Sequence, residues 1–337
     1  MKAIVFRQHG TLENIEFTEI DDPVIAEDQC LIKVHAVSLN GFDPMVLRGI
    51  PGLKTPLPMI PGADFAGEIV AVGAAVNSGQ WKPGDRVSAM PDHDDGMMGE
   101  TKKGACCELV AIDQQYLLAL PENVSYEQAA CLPTAYGAAI RMMQTRGKVS
   151  AGEKVLILGA SGGVGTCCVQ LAKAAGAEVI ACTSSADKAT KLAALGADMV
   201  INTSTHDYVK EVIAKYGKPS TRGPGGGVDV IVNYTGGDTW AQCFRVLTLQ
   251  GRLLTCGATA GYEPKTDLRY IWSFEMNIIG SNGWTRENVE DLLQMVAAGQ
   301  LQPSIQSVNP LSDYVNCLQS LVNRQVFGKI ILQPVAA

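Results

Sequence analysis

The segment from Lys154 to Lys188, KVLILGASGGVGTCCVQLAKAAGAEVIACTSSADK, constrains the fold more than any other part of the sequence. An apolar run leads into a glycine-rich turn, which is followed by a helical pattern and a second apolar run. This order predicts a βαβ unit. Strand and helix patterns continue to alternate as far as RLLTCGA, so we predict a parallel, doubly wound sheet with right-handed crossovers, an α/β fold.

The glycine-rich turn has three small residues at the spacing of a dinucleotide-binding fingerprint. The first small residue makes the tight turn, the second lets the backbone approach a pyrophosphate, and the third lets the helix pack closely on the strand. Amides at the start of the helix would face the phosphate charge. Within a βαβ unit this pattern predicts dinucleotide binding. The expected contacts are Ala160, Ser161, Gly162, Gly163, Val164 and Gly165.

The end of the second strand indicates which dinucleotide is bound. An NAD site has Asp or Glu there, which accepts from the ribose 2′-hydroxyl. This sequence has Thr183 and Ser184 instead, with Lys188 one helical turn later. Hydroxyl groups and a cation suit a 2′-phosphate. We therefore predict NADPH, bound by Ser184 and Lys188; the alternative is NADH, with Lys188 as an ordinary solvated helix residue.

The first 125 residues follow another pattern. Short apolar runs such as CLIKVHAV and AGEIVAVG are separated by Pro-Gly and Lys-Pro-Gly-Asp turns, which favours a compact β barrel. The late segment FGKIILQP is a further strand pattern, and we expect it to return to this barrel. The sequence thus predicts a β domain of residues 1–125 completed by residues 284–337, and a dinucleotide-binding domain of residues 126–283.

Composition excludes several classes of protein. The formal net charge is −7 and the basic residues are scattered, so the basic stripe of a nucleic-acid-binding protein is missing. No apolar run reaches the roughly 18 residues of a membrane span, and the opening MKAIVFRQHG has a strand pattern rather than that of a leader. The ten cysteines form no C-x-x-C motif and are expected to be small buried hydrophobes. We expect a soluble, cytoplasmic protein with a small-molecule substrate.

Over essentially its whole length the chain resembles the medium-chain dehydrogenase/reductase superfamily. The segments that carry the resemblance are NGFDPMVLRG, PGADFAGEIVAVG, KPGDRV, YEQAACLPTAYGAAI, GASGGVG and FGKIIL. The resemblance implies a GroES-like β barrel, a Rossmann domain, and an active site in the cleft between the two. Asn40 and Asp43, followed by Arg48, are similar to the zinc-free quinone oxidoreductase and enoyl reductase branches.

The resemblance also bears on metal binding. Zinc alcohol dehydrogenases of the superfamily carry a cysteine in the first of these segments and Gly-His-Glu in the second. The corresponding residues here are Asn40 and Gly62-Ala63-Asp64, and Asp64 alone cannot build a tetrahedral site of nitrogen and sulfur ligands. The loop of residues 92–103 lacks the spaced cysteines of a structural zinc site, and His93 is interpreted as part of a polar loop. We expect no metal.

The remaining site residues follow from the resemblance. Asn40 is expected to donate to a substrate oxygen or to orient the nicotinamide, and Tyr136 to be a proton donor or a packing residue. Asp64 is expected to orient its neighbours and to pair with Arg48, catalytically or as a structural ion pair. The further cofactor contacts are expected to be Thr134, Gly257, Asn282 and Lys329.

Without zinc, hydride addition to a conjugated acceptor is favoured over addition to a plain carbonyl. Hydride addition to a plain carbonyl gives an alkoxide, which benefits greatly from a Lewis acid. Addition to an enone, quinone or enoyl thioester gives a delocalised anion that ordinary hydrogen-bond donors can stabilise. We therefore predict an NADPH-dependent reductase of activated double bonds or quinones. The alternatives are a zinc-independent carbonyl reductase or alcohol dehydrogenase, and an NADPH-binding protein with little catalysis.

The segment MNIIGSNGW predicts how copies of the chain associate. It reads as an apolar strand at the edge of the parallel sheet, where members of the resembled superfamily join their sheets across a two-fold axis. An exposed apolar edge strand needs a partner. We therefore expect a homodimer.

Overall fold

A computed structural model describes residues 1–76 and 79–334 of the chain. It divides into two compact units: Met1–Ala135 together with the chain from Val289 onward, and Tyr136–Asn288. Among the described residues, none of the helices combines the length and the apolar character needed to cross a membrane.

The described residues form seventeen strands, numbered in chain order: β1 Lys2–Phe6, β2 Ile15–Glu19, β3 Gln29–Ser38, β4 Asp64–Val72, β5 Arg86–Ala89, β6 Asp92–His93, β7 Gly96–Met97, β8 Leu109–Asp113, β9 Leu117–Ala119, β10 Lys154–Ile157, β11 Glu178–Thr183, β12 Met199–Asn202, β13 Val228–Val232, β14 Leu247–Thr255, β15 Asn277–Gly280, β16 Ile305–Pro310 and β17 Lys329–Gln333.

The same residues form ten α-helices: α1 Asp43–Arg48, α2 Tyr126–Ala130, α3 Gly137–Ile140, α4 Gly163–Ala174, α5 Ala186–Ala194, α6 Tyr208–Tyr216, α7 Asp238–Cys243, α8 Leu268–Ser273, α9 Arg286–Ala297 and α10 Tyr314–Val322. Short 3₁₀ helices lie at Leu12–Asn14, Gln114–Tyr116 and Leu311–Asp313, and π-helices at Leu132–Tyr136 and Arg141–Arg146.

The first unit is built on a mostly antiparallel sheet in the order β16-β17-β3-β4-β5-β9, with β8 paired to β3. In β3, alternate residues along most of the strand are buried. This is the pattern of a strand that packs one face on a core, as is common in antiparallel sheets. The late strand β17 lies beside β3, so the C-terminal part of the chain does return to the β domain.

The second unit contains a six-stranded, wholly parallel sheet in the order β12-β11-β10-β13-β14-β15. Its central strands are almost continuously buried, because helices cover both faces of such sheets. The strand order reverses direction at β10, which makes a switch point of the kind where α/β sheets bind ligands. Helix α4 buries both Cys167 and Cys168, as expected for cysteines that act as small hydrophobes. The predicted fold class is confirmed.

The border between the units differs from the expected position. The first unit extends to Ala135 rather than to residue 125, and the second ends at Asn288 rather than at residue 283. Helix α2 looks like the start of the helix-and-strand alternation, but it packs on β3 and β4. The sequence pattern shows that a helix is present and does not show which sheet it covers.

Candidate active site

Four polar side chains meet inside the first unit: Asn40, Asp64, Thr134 and Lys329. Strand pairing brings three of them together. Ser38 on β3 lies opposite Ile331 on β17 and opposite Asp64 on β4, so the antiparallel register carries Asn40 next to Lys329. Thr134 comes from the π-helix that follows α2.

These side chains form one hydrogen-bonded chain. The Lys329 Nζ donates to Asn40 Oδ1 at 2.6 Å and to the Leu39 carbonyl at 2.7 Å, and lies 4.0 Å from Asp64 Oδ2. Asn40 Nδ2 donates to Asp64 Oδ2 at 2.8 Å. Asp64 Oδ1 accepts from the Thr134 hydroxyl at 2.6 Å and from its backbone N–H at 3.1 Å. Every hydrogen bond to Asp64 is thus donated by its partner, which fits the ionised carboxylate.

Because Asp64 and Lys329 are buried, removal of either charge would destabilise the network. Asp64 is 0% exposed and Lys329 is 3% exposed. Burial raises the pKa of Asp64, while Lys329 and the hydrogen bonds from Thr134 and Asn40 oppose that rise. A buried charge without its partner is costly, so the carboxylate and the ammonium depend on each other.

The network determines what each group can offer to a ligand. The amide of Asn40 is oriented without ambiguity, because its oxygen faces an ammonium and its nitrogen faces a carboxylate. One N–H of that amide remains for another acceptor. Thr134 is only partly buried, and its hydroxyl proton is directed to Asp64. Its hydroxyl oxygen therefore offers lone pairs rather than a proton.

The structure corrects two expected contacts. The cation beside Asp64 is Lys329 and not Arg48, which is exposed at the end of α1. Lys329 was expected to contact the cofactor, but its ammonium is buried and already donates two of its three N–H groups within the unit. Tyr136 is fully buried, which favours the packing alternative over proton donation.

Asp43 was singled out in the sequence as part of the N-x-x-D motif, but no role was assigned to it there. Its Oδ2 accepts from the backbone N–H of Asn40 at 2.7 Å, while its Oδ1 is buried and has no hydrogen-bond partner among the described residues. Burial raises its pKa to about 7. The spacing of Asn40 and Asp43 in the motif N-x-x-D was the available signal, since a helix-start Asp can accept from the residue three positions earlier.

The glycine-rich turn of the second unit fits a dinucleotide phosphate. It links β10 to α4, with Gly162 as the N-cap of the helix. A Cβ at Gly165 would lie 2.5 Å from the Gly159 carbonyl oxygen, so close packing of helix and strand requires glycine there. A Cβ at Gly162 would meet no atom nearer than 3.7 Å, so packing within the protein does not require this glycine. Open space above an N-terminal helical turn is what an approaching pyrophosphate needs.

The end of β11 carries the groups expected near the 2′-position. Ser184 is exposed, and the Oγ1 of Thr183 is buried without a hydrogen-bond partner among the described residues. Lys188 is half-buried, and burial together with the nearby Lys191 lowers its pKa.

The other two expected cofactor residues lie at neighbouring strand ends. Gly257 follows β14 and Asn282 follows β15, and both line one cavity of about 530 Å³ within the second unit. No sequence pattern pointed to the arginines Arg141 and Arg146 that line the same cavity.

The side chains of the site determine whether it could bind zinc. By the resemblance, Asn40 stands at the position of the cysteine ligand, Ala63 at that of the histidine and Asp64 at that of the glutamate; Asn40 and Asp64 are both hydrogen-bonded to protein groups. Within residues 1–76 and 79–334, no three or more His, Cys, Asp or Glu side chains are grouped to hold a metal ion. The ten cysteines are all free, and nine of them are buried.

Comparison with known proteins agrees with this architecture. Residues 26–122 match the alcohol dehydrogenase GroES-like domain, and residues 163–298 match the domain described as zinc-binding dehydrogenase. The chain is 29% identical to an NADPH-dependent alkenal/one oxidoreductase of Arabidopsis thaliana, over 99% of this chain and 80% of that protein. It is 30% identical to a 2-methylene-furan-3-one reductase of Solanum lycopersicum, over 99% and 79% respectively.

A solved structure shows the same fold. The crystal structure of an NAD-dependent alcohol dehydrogenase superposes with a TM-score of 0.89 at 31% identity, over 100% of both chains. The fold and the named relatives together show an oxidoreductase that uses a nicotinamide cofactor. The chain belongs to the medium-chain dehydrogenase/reductase superfamily, in its quinone and enoyl reductase-like branch, which confirms the resemblance found in the sequence.

Proposed function

We propose that this protein transfers hydride from NADPH to an activated double bond, of an α,β-unsaturated carbonyl or an enoyl thioester, or to a quinone, without zinc. The observation that carries the proposal is the network around Asp64. Asn40, which replaces the cysteine ligand, is bonded to Lys329, and Asp64 is bonded to Thr134 and lies beside Lys329, so a buried ammonium supplies the positive charge in this part of the unit. The reductase names of the Arabidopsis and tomato relatives support the same reaction class.

The preferred class of acceptor follows from having a buried ammonium in place of a metal ion. An alkoxide formed from a saturated carbonyl would require strong, localised stabilisation, as from a metal ion. An enolate spreads its charge over several atoms, and a hydrogen-bond donor in a water-poor site stabilises it sufficiently. The site has such a donor but no grouped metal ligands among the described residues.

Each residue of the network then has a role. The second side-chain N–H of Asn40, which does not bond to Asp64, donates to the oxygen of the acceptor as negative charge develops there. Asp64, Lys329 and Asp43 are positioning residues, since they fix the side chain and backbone of Asn40. Thr134 accepts from an N–H donor such as the carboxamide of the cofactor, because its own proton is directed to Asp64. When bound, the cofactor supplies the hydride.

The proton that completes the reduction comes from solvent in this proposal. Tyr136 is fully buried, and the Thr134 hydroxyl already donates to Asp64. A water molecule that reaches the enolate can protonate it without a dedicated acid. The rate should therefore show no loss that follows the titration of a single tyrosine.

NADPH is the proposed cofactor, held at both ends of the first βαβ unit. The glycine-rich turn from Ala160 to Gly165 faces the pyrophosphate. Ser184 and Lys188 face the 2′-phosphate, where a strand-end carboxylate would repel it.

A zinc-independent carbonyl reductase or alcohol dehydrogenase is the second candidate. A solved structure that superposes over the whole chain is called an NAD-dependent alcohol dehydrogenase. Turnover of saturated aldehydes, with none of enones, would favour this candidate. Tight binding of NADPH without turnover of any acceptor would favour the third reading, a binding protein with little catalysis.

The proposed enzyme is a cytoplasmic homodimer. Strand β15 lies at the edge of the parallel sheet, and Ile278 on it is 41% exposed. An apolar edge strand of this kind is suited to pairing with its copy across a two-fold axis. Sedimentation at micromolar concentration should give the mass of two chains, and Ile278→Lys should shift it to the mass of one.

The test of the proposed function is NADPH oxidation with four acceptors: an enone, a quinone, an enoyl thioester and a saturated aldehyde. Each is measured with and without EDTA. Turnover of the conjugated acceptors that persists in the chelator supports the proposal. Turnover that the chelator abolishes would contradict it.

A further inference from the structure

Tyr234 lies beside the glycine-rich turn, although no sequence pattern pointed to it. It follows β13, and β13 is a neighbour of β10 in the parallel sheet of the second unit. The glycine-rich turn follows β10, so the carboxyl ends of two adjacent strands bring the phenol ring and the turn together. These two strands border the switch point, where sheets of this kind bind ligands.

The phenol hydroxyl is bonded to the turn itself. It donates to the Gly159 carbonyl at 2.6 Å. The backbone N–H of Gly165 faces the same phenol oxygen. That N–H belongs to the first turn of α4, where the N–H groups have no partner inside the helix. The hydroxyl of Tyr234 thus joins the start of the turn to the start of the helix.

The same hydroxyl borders the space that a pyrophosphate needs. A Cβ built at Gly162 would lie 3.7 Å from the Tyr234 hydroxyl oxygen and 3.7 Å from the Gly159 carbonyl oxygen. These are the nearest described atoms apart from those of the adjoining residues. Gly159 is exposed and Tyr234 is only partly buried, so a ligand can reach this side of the turn. A group that approaches the backbone of Gly162 therefore meets the phenol oxygen.

The backbone around Tyr234 is fixed by hydrogen bonds. Asn233 is fully buried, and its Oδ1 accepts from the N–H groups of Thr235 and Gly236, each at 3.0 Å. The Tyr234 carbonyl accepts from the Thr259 N–H at 3.2 Å. A side chain whose backbone is held in this way keeps its hydroxyl in one place, as a binding site requires.

The hydroxyl has one proton, and that proton can change partner at little cost. Burial raises the pKa of Tyr234 well above its ordinary value, so the phenol stays protonated at neutral pH. The Gly159 carbonyl also accepts from the Gly162 N–H at 3.1 Å. If the phenol proton turns away, this carbonyl keeps a donor, and the phenol oxygen can still accept from Gly165. Rotation of the O–H bond therefore leaves none of these groups unpaired.

We propose that Tyr234 binds the pyrophosphate of the nicotinamide cofactor. Its O–H turns from the Gly159 carbonyl to a phosphate oxygen, while its oxygen accepts from the Gly165 N–H. A donor that itself accepts a hydrogen bond is strengthened by it, and bonds to charged acceptors are the stronger ones. The inference rests on the use of a nicotinamide cofactor. It concerns a group that NADH and NADPH share, so it does not depend on the preference between them or on the acceptor.

Calorimetric titration with NADP+ and with NAD+ tests the contact without turnover. Tyr234→Phe keeps the ring and removes the hydroxyl. It should weaken each cofactor that the wild type binds by the same factor, about tenfold, as expected for loss of a hydrogen bond to a charged group. The matched control is Tyr216→Phe, which removes a phenol hydroxyl that donates to Glu178 at the same 2.6 Å and lies outside the turn. It should leave the dissociation constants unchanged.

Phosphorus NMR of bound NADP+ separates a direct contact from a general loosening of the turn. The pyrophosphate resonances should differ between wild type and Tyr234→Phe, while the 2′-phosphate resonance stays in place. Gly162→Ala is a second variant, because its methyl group fills the space beside the hydroxyl without meeting the protein. This variant should fold and should bind both cofactors weakly.

Three results would overturn the inference. The first is equal cofactor affinity in Tyr234→Phe and Tyr216→Phe. The second is weakened affinity in Tyr234→Phe with unchanged pyrophosphate resonances, which would make Tyr234 a structural support of the turn. The third is undiminished cofactor binding by Gly162→Ala, which decides the matter if Tyr234→Phe fails to fold. Failure of the proposed function would appear differently, as cofactor binding that depends on Tyr234 in a protein that prefers NADH or reduces no conjugated acceptor.

Discussion

Lys329 donates from Nζ to Asn40 Oδ1 at 2.6 Å and so joins two residues that are 289 positions apart in the chain. Through Asn40 the ammonium is linked to the buried carboxylate of Asp64, and through Asp64 to the partly exposed hydroxyl of Thr134. This relationship ties the last strand of the β domain to its proposed reactive groups. The stability of the unit and the geometry of the site should therefore respond to the same substitutions.

Substitution of Lys329 by Met should destabilise the protein strongly. The change leaves Asp64 buried without its cation, which typically costs about 3 to 5 kcal/mol. Lys82→Met is the matched control, since it breaks an exposed pair with Asp85 that is worth at most about 1 kcal/mol. Denaturant unfolding measures both. A loss for Lys329→Met no larger than that of the control would show that the buried pair does not act as described.

Substitution of Thr134 by Val should lower kcat/KM, because it removes the hydroxyl that both donates to Asp64 and accepts from the cofactor. We expect a loss of about tenfold to a hundredfold, with a raised KM for NADPH. Thr134→Ser keeps the hydroxyl and should retain most of the activity. Steady-state kinetics of the two variants decides the matter, and equal losses in both would argue that the methyl group, rather than the hydroxyl, is needed.

Asp43 should make the stability depend on pH. Its folded-state pKa is raised to about 7, above the value of about 4 expected in the unfolded chain. Between these values the folded state binds the extra proton, so Asp43 makes the protein less stable as the pH rises from about 4 to about 7, by up to about 1.4 kcal/mol per pH unit. Buried Asp64 contributes in the same direction.

The difference between wild type and Asp43→Asn isolates the contribution of Asp43. Asparagine keeps an oxygen that accepts from the Asn40 N–H but does not titrate. The variant should gain stability relative to wild type as the pH rises through this window. A difference that is constant from pH 4 to 8, measured by unfolding at each pH, would mean that Asp43 ionises as an ordinary carboxyl.

Substitution of Lys188 by Ala should weaken the binding of NADPH about tenfold and leave that of NADH nearly unchanged. Only NADPH carries the 2′-phosphate that the ammonium would contact. Lys210→Ala, which changes an exposed lysine of α6, is the control. Fluorescence titration gives the dissociation constants. If both cofactors weaken equally, Lys188 does not discriminate between them.

Local sequence patterns predicted the second unit well. The glycine-rich turn follows β10 and leads into α4, with Gly162 as the N-cap and Gly165 in the first turn of the helix, as the βαβ pattern predicted. These features depend on periodicity, turn chemistry and neighbouring residues, which one sequence displays directly.

Contacts between distant parts of the chain could not be predicted in the same way. Asp64 was expected to pair with Arg48, sixteen residues away, because nothing in the sequence shows that β17 lies beside β3. The burial of Tyr136 and the meeting of Arg141 with Ser281 also depend on packing. Polar side chains that meet only through the fold give no periodic signal.

The central claim is that a site without zinc reduces conjugated acceptors. The most direct test measures kcat/KM for an α,β-unsaturated aldehyde and for its saturated counterpart, on enzyme treated with EDTA and checked for zinc by mass spectrometry. The account predicts zinc well below one equivalent and a preference for the conjugated aldehyde of about a hundredfold or more, equivalent to about 2.7 kcal/mol in transition-state stabilisation. Stoichiometric zinc whose removal abolishes turnover, or faster reduction of the saturated aldehyde, would contradict it.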